Sequence, residues 1–115
     1  MVIRKKRKPR EKQVHRVYCT YFDDGKYYIG YSGKPEKLYE TYFGSSSYVF
    51  SYEGEIRKET IAVFDSKAHA KMQEFLLQWQ SRFDERCINS MMNIRLRREH
   101  LASFEPVKWE PQCST

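Results

Sequence analysis

Two short runs of β-branched and aromatic residues, joined by a tight-turn sequence, constrain this chain more than any other feature. Val14–Phe22 reads VHRVYCTYF and Tyr27–Tyr31 reads YYIGY, and both compositions are typical of strands. Between them lies Asp23-Asp24-Gly25-Lys26, whose glycine tolerates the positive φ of a hairpin turn. The segment therefore predicts a β-hairpin around which the rest must pack.

Three further segments carry weaker signals. Glu36–Glu40 favours a short helical turn, and Lys58–Phe64 has the β-branched content of a third strand. Tyr48–Tyr52 fits a strand and a helix equally well. Together with the hairpin they predict an α/β fold, with a small, mainly antiparallel three-stranded sheet flanked by helices.

A single long helix is predicted over residues 67–83. Either Asp65 or Ser66 can cap its N-terminus. Apolar residues recur at steps of three and four, which predicts one buried helix face. The residues of that face are Ala68, Met72, Phe75, Trp79 and Phe83.

Positive charge is concentrated at the N-terminus. Residues 1–16 hold eight basic residues and one glutamate, a net charge of +7, whereas the other 99 residues hold 13 basic and 14 acidic groups, a net charge of −1. A basic arm on a near-neutral body is typical of proteins that bind polyanions, although a localisation signal or a solubility tail has the same pattern. The sequence divides into an arm (1–13), one domain (14–101) and a C-terminal tail (102–115).

Several classes of protein are excluded by composition. The 115 residues are enough for one domain, and no run approaches the roughly 18 apolar residues of a membrane span. The three cysteines are far apart and show no zinc-ligand spacing, which favours free thiols in a reducing cytoplasmic compartment.

Two tyrosines of the hairpin are candidates for chemistry. Tyr18 and Tyr28 occupy the two strands, and a short turn brings both phenols to one side of the sheet. Gly30 lies two residues beyond Tyr28, and a glycine inside a strand marks a bulge or the close approach of another backbone. We expect a phosphate to use that space.

The hairpin resembles the GIY-YIG nuclease module. Tyr28-Ile29-Gly30 is a complete YIG, and Arg16-Val17-Tyr18 keeps the tyrosine of the other half-motif. Other segments follow in the order found in phage-type and homing-endonuclease members, over roughly residues 16–94. These are Tyr42–Ser46, similar to a GSG/GSS segment; Arg57–Ile61, similar to a K-R-E-I strand; Glu74 on the helix; and Ile88–Ile94, with Asn93 as the matching asparagine.

The resemblance implies Mg²⁺- or Mn²⁺-dependent hydrolysis of DNA phosphodiester bonds by an endonuclease. Tyr18 would be the base or position the attacking water, Tyr28 would orient the water or the phosphate, and Glu74 would bind the metal. A phenol has a pKa of about 10, so the base role requires nearby cations that lower it.

The cation of the reaction centre is not determined by the resemblance. Where many members have an arginine, this chain has Leu38 or Tyr39; where they have a histidine, it has Tyr42 or Phe43. The candidates to balance transition-state charge are therefore Lys34, Lys37 and Lys58, and Asn93 would position the helix or a phosphate.

DNA is the expected partner, and a double-strand cut by one active site requires a homodimer or two successive events. The phage-like segments also predict a phage or mobile-element origin. Two alternatives remain: a catalytically impaired nucleic-acid-binding module with the same fold, and an inhibitor that binds an acidic protein. The residues expected to contact DNA are Arg4, Lys5, Lys6, Arg7, Lys8, Arg10, Lys26, Arg95, Arg97 and Arg98.

Deletion of residues 2–12 is expected to weaken DNA binding and to flatten its salt dependence without unfolding the domain. The reason is that each phosphate neutralised by the arm releases counterions, which makes affinity depend on salt. Binding measured over a salt series, with and without the arm, tests this. An unchanged slope would show that the arm makes no phosphate contact.

Overall fold

The computed structural model describes residues 13–89 and 95–112, and in these ranges the chain is an antiparallel sheet with helices on both faces. The α/β prediction is confirmed. The arm residues Arg4, Lys5, Lys6, Arg7, Lys8 and Arg10 lie outside the described residues, as does Asn93. The elements are β1 (His15–Phe22), β2 (Tyr27–Ser32), α1 (Glu36–Glu40), α2 (Ser47–Ser51), β3 (Ile56–Phe64), α3 (Lys67–Gln80) and a 3₁₀ helix (Arg98–Leu101).

The predicted hairpin is present and forms half of a sheet with strand order β2-β1-β3. Gly25 has a φ of 90° in the turn, and the Phe22 amide donates to the Lys26 carbonyl at 2.9 Å. β3 pairs antiparallel with β1, and its register shifts opposite Val17 and Tyr18. The central position of β1 gives it two partners, so its side chains determine what covers each face.

Alternation along β1 divides the aromatic content between two layers. Val17, Cys19 and Tyr21 are buried in one cluster with Ala70 and Leu77 of α3. The intervening side chains lie on the opposite face, under the chain that follows β2. There the Thr20 hydroxyl donates to the Phe43 carbonyl at 2.6 Å. The rings of Phe22, Tyr48 and Tyr52 cluster on that face.

α3 begins where the sequence predicted but buries a different face. Ser66 is the N-cap, its hydroxyl accepting from the His69 amide. The predicted apolar face is wrong, because Trp79 is 50% exposed and Phe83, beyond the helix end at Gln80, is 85% exposed. The residues that α3 buries are Ala70, Gln73, Leu77 and Gln78.

Hydrogen bonds explain why α3 buries glutamines. The Gln73 side chain donates to the Val107 carbonyl at 2.8 Å and accepts from its amide at 2.7 Å. The Gln78 side chain donates to the Ile29 carbonyl at 3.2 Å. A buried carboxamide with its donors and acceptors satisfied is tolerated in a core, and a count of apolar residues does not detect it.

The segment after the 3₁₀ helix lies across the sheet. The Trp109 indole donates to Glu59 at 3.2 Å and its ring is 6.2 Å from the ring of Tyr27, edge to face. The Gln112 amide donates to the Tyr21 hydroxyl at 3.3 Å. These contacts tie residues 107–112 to the domain, while the predicted boundary after residue 101 stays a prediction. Among the described residues, no helix has the length and apolar character needed to cross a membrane.

The outer edge of β2 is held by the chain that follows α3. Tyr27 exchanges backbone hydrogen bonds with Arg86 and Ile88, at 2.8 and 2.9 Å. Two residues further along β2, the Asn89 carboxamide accepts from the Ile29 amide and donates to the Ile29 carbonyl, both at 2.8 Å. The Asn89 side chain thus continues the hydrogen bonding that the backbone begins.

Gly30 makes room for the ring of Tyr18, which is its partner across the hairpin. A Cβ built at Gly30 would lie 2.5 Å from the Tyr18 Cζ atom. The expectation that a phosphate uses this space is therefore wrong, because a phenol of the chain itself fills it.

Gly30→Ala is expected to destabilise the fold by about 1–3 kcal/mol, because the ring has to leave its site. Gly33→Ala is the matched control, since a Cβ there meets the flexible ends of the Gln13 and Tyr31 side chains. Chemical denaturation of both variants measures the difference. Equal stability of the two variants would contradict the packing argument.

Candidate functional site

Tyr18 lies at the centre of a cluster of tyrosines on the face opposite α3. Its ring centroid is 5.9 Å from that of Tyr39, 6.1 Å from Tyr42 and 6.5 Å from Tyr28. This confirms that the two hairpin tyrosines share one side of the sheet. The side chain of Tyr18 is 1% exposed.

The surroundings of Tyr18 keep its proton in place. Burial raises the pKa of its phenol far above the ordinary value, and Tyr42 and Tyr28 add to the rise. A base role requires the opposite shift. In this structure Tyr18 is therefore suited to hold its neighbours in position.

A polar cleft of about 440 Å³ lies beside Tyr18, at the edge of β2. Its walls come from the sheet, the loop after α1, α3 and the chain that follows α3. Glu74 is the one carboxylate among the described residues that line it. The lining residues are Tyr28, Tyr31, Tyr42, Ser45, Ser46, Ser47, Lys71, Glu74, Gln78, Ile88 and Asn89.

Glu74 points into this cleft and pairs with a cation. Its side chain is 13% exposed, and one carboxylate oxygen is 3.1 Å from the Lys71 ammonium, one helical turn away. Burial raises the pKa of the Glu74 carboxyl, and Lys71 opposes that rise. Burial raises the pKa of Tyr28 and of Tyr31, and the negative charge of Glu74 adds to the rise in both.

The loop after α1 shapes the wall around Tyr28. Gly44 has a φ of +131°, and a Cβ there would lie 2.8 Å from the Tyr28 ring. Burial raises the pKa of the Tyr28 phenol, whereas its hydrogen bond with Ser45 lowers it. The glycine and serine of the GSS-like segment thus contact a candidate site residue directly.

A divalent cation in this cleft would have one carboxylate ligand from the described residues that line it. The described residues contain no group of three or more His, Cys, Asp or Glu that could hold a metal ion. Mg²⁺ is often bound through one or two carboxylates, several waters and a substrate phosphate. Glu74 is the residue that would hold it, after releasing Lys71.

The three lysines predicted to balance charge occupy different places. Lys58 donates to the carbonyls of Tyr39 and Tyr42 on the far side of Tyr18, and burial lowers its pKa. Lys34 is exposed, with its ammonium 4.8 Å from the centre of the Tyr42 ring. Lys37 is exposed on α1 and does not line the cleft.

Two residues that line the cleft were missed from the sequence. Lys71 contacts Glu74, and its spacing of three residues along a helix was the available signal. Asn89 anchors β2, whereas the resemblance pointed to Asn93. Nothing in the local sequence distinguishes the two asparagines, because the role of Asn89 depends on Ile29.

The described residues among those expected to contact DNA lie in two separate places. Arg95 lies beside Lys67 and Lys71 of α3, and Arg97 and Arg98 are exposed in the same segment. Lys26 lies in the hairpin turn, its ammonium 5.4 Å from the centre of the Tyr48 ring, and lines a separate depression.

Comparison with protein-family models, curated proteins and solved structures finds no match to this chain.

Replacing the buried carboxyl should increase stability at neutral pH. The pKa of Glu74 is higher in the folded than in the unfolded chain. The contribution of Glu74 to the stability of the fold is therefore fully present below the unfolded pKa, and it is lost as pH rises through the folded pKa. Glu74→Gln removes that loss, and its Tm should exceed that of the wild type at pH 7. The difference should shrink as pH falls below about 4, where the unfolded carboxyl is also protonated.

Thermal melts of both proteins over a pH series measure this effect. Glu85→Gln, at an exposed position, is the matched control and should shift Tm little. A lower Tm for Glu74→Gln at pH 7 would show that the Lys71 ion pair outweighs the cost of burial.

Proposed function

We propose that this protein is a divalent-metal-dependent DNA endonuclease of the GIY-YIG type, with its reaction centre in the cleft between Tyr28 and Glu74. The observation that carries the proposal is the convergence of these two side chains, 46 positions apart in the sequence, on one cleft beside the ring of Tyr18. The resemblance names the same three residues, so motif and geometry support one interpretation.

The residues of the cleft have separate roles in this proposal. Tyr28 and Tyr42 present hydroxyl groups that orient the attacking water and the phosphate. Tyr18 is a positioning residue, since it contacts both rings and is buried. A bound Mg²⁺ would supply positive charge and make a coordinated water more acidic.

Lys71 is the cation best placed to work on the phosphate. If Glu74 held a metal ion, the Lys71 ammonium would lose its partner and would be free to contact an anionic oxygen. A lysine does so as a point charge, without the bidentate geometry of arginine.

A second candidate is a nucleic-acid-binding module that does not cleave. Among the described residues that line the cleft, none is an arginine or a histidine. Such a cleft has fewer means of stabilising transition-state charge, which favours binding without turnover.

The reducing compartment, the phage or mobile-element origin and a homodimer stay predictions.

Nicking of supercoiled plasmid in Mg²⁺ separates the two candidates. Glu74→Gln is expected to lower the rate at least about 100-fold, because it removes the metal ligand. Tyr28→Phe should lower the nicking rate more than Tyr18→Phe, because Tyr28 lines the cleft and Tyr18 does not.

Glu85→Gln, which removes an equal charge from an exposed position, should nick at the wild-type rate. Binding of each variant to DNA in EDTA shows whether the loss is catalytic. Equal nicking by wild type and Glu74→Gln, or nicking that persists in EDTA, would rule out the endonuclease.

A further inference from the structure

A second concave surface lies next to the cleft, between the start of α3 and the segment 95–100. We call it the basic groove. Its volume is about 570 Å³, and no carboxylate is among the described residues that line it. Those residues are Lys67, Ala68, Lys71, Arg95, Leu96 and His100.

The basic groove and the cleft share a wall. Lys71 lines both of them. An anion in the groove would therefore be separated from Glu74 by the Lys71 side chain. A smaller depression lined by Lys34 and Lys67 adjoins them, because it shares Tyr31 and Tyr42 with the cleft and Lys67 with the groove. Cationic side chains therefore border the cleft along one continuous side.

The first described residue of the chain lies beside this positive surface. Gln13, the first described residue, lines the smaller depression and donates to the Gly33 carbonyl at 2.9 Å. Residues 1–12, which hold seven basic groups and one acidic group, join the domain at this point. The charge excess of the chain is thus attached beside the groove.

Lys67 and Arg95 have no ion-pair partner within the described part of the chain, and both are exposed. Cations that line one concave surface without such partners raise the local potential and attract anions.

We propose that the basic groove binds backbone phosphates of the substrate strand next to the scissile linkage. This inference rests on the proposed nucleic-acid substrate. It adds to that proposal the residues, Lys67 and Arg95, that contact phosphates beyond the linkage that is cleaved.

Binding of a labelled DNA duplex to the full-length chain in EDTA tests the groove. Lys67→Ala/Arg95→Ala should reduce the slope of log affinity against log salt by about 2, roughly one for each phosphate that the protein no longer neutralises. Arg82→Ala/Lys108→Ala removes the same charge from exposed sites outside the groove, and its slope should match that of the wild type. Circular dichroism confirms folding, and Lys67→Gln/Arg95→Gln replaces the first variant if that variant unfolds.

If both double variants show the same change of slope, the groove proposal is overturned, because the loss of net charge alone then explains the result. The outcome is separable from that of the endonuclease proposal. Wild-type protein that fails to nick plasmid but shows the slope change refutes the endonuclease and retains the groove. Nicking with an unchanged slope in the Lys67/Arg95 variant retains the endonuclease and refutes the groove.

Discussion

The packing of one phenol on one glycine determines how this small domain is assembled. The Tyr18 ring lies where a side chain at Gly30 would be, and it contacts the rings of Tyr28, Tyr39 and Tyr42. These contacts fasten the loop after β2 to the sheet. Since that loop forms a wall of the cleft, the site depends on a contact made within the hairpin.

The sequence predicts the features that depend on neighbouring residues. Turn chemistry predicts the hairpin, the two-residue period of a strand places Tyr18 and Tyr28 on one face, and Ser66 marks the start of α3. The buried face of α3 was not predictable from periodicity, because Gln73 and Gln78 are satisfied by the distant backbone groups of Val107 and Ile29. Hydrogen bonding between remote segments overrides the apolar pattern there.

The candidate site shows the same division. Tyr28 and Glu74 were expected together and share a cleft, but the cation beside them is Lys71 rather than Lys34, Lys37 or Lys58. Lys58 is engaged by carbonyls at the end of α1, which only the tertiary fold brings near it. Burial of the Glu74 carboxylate beside an ammonium lowers the stability of the fold, and functional sites commonly carry such a cost.

The carboxamide of Asn89 has a consequence for how copies of this chain meet. An outer strand with free amides and carbonyls is a template on which another chain can add a strand, and such addition leads to fibrous aggregates. Ile29 offers no such template, because both of its backbone groups are already bonded to a side chain that cannot propagate a ladder. One asparagine thus closes the edge of β2 at Ile29 to the addition of another strand.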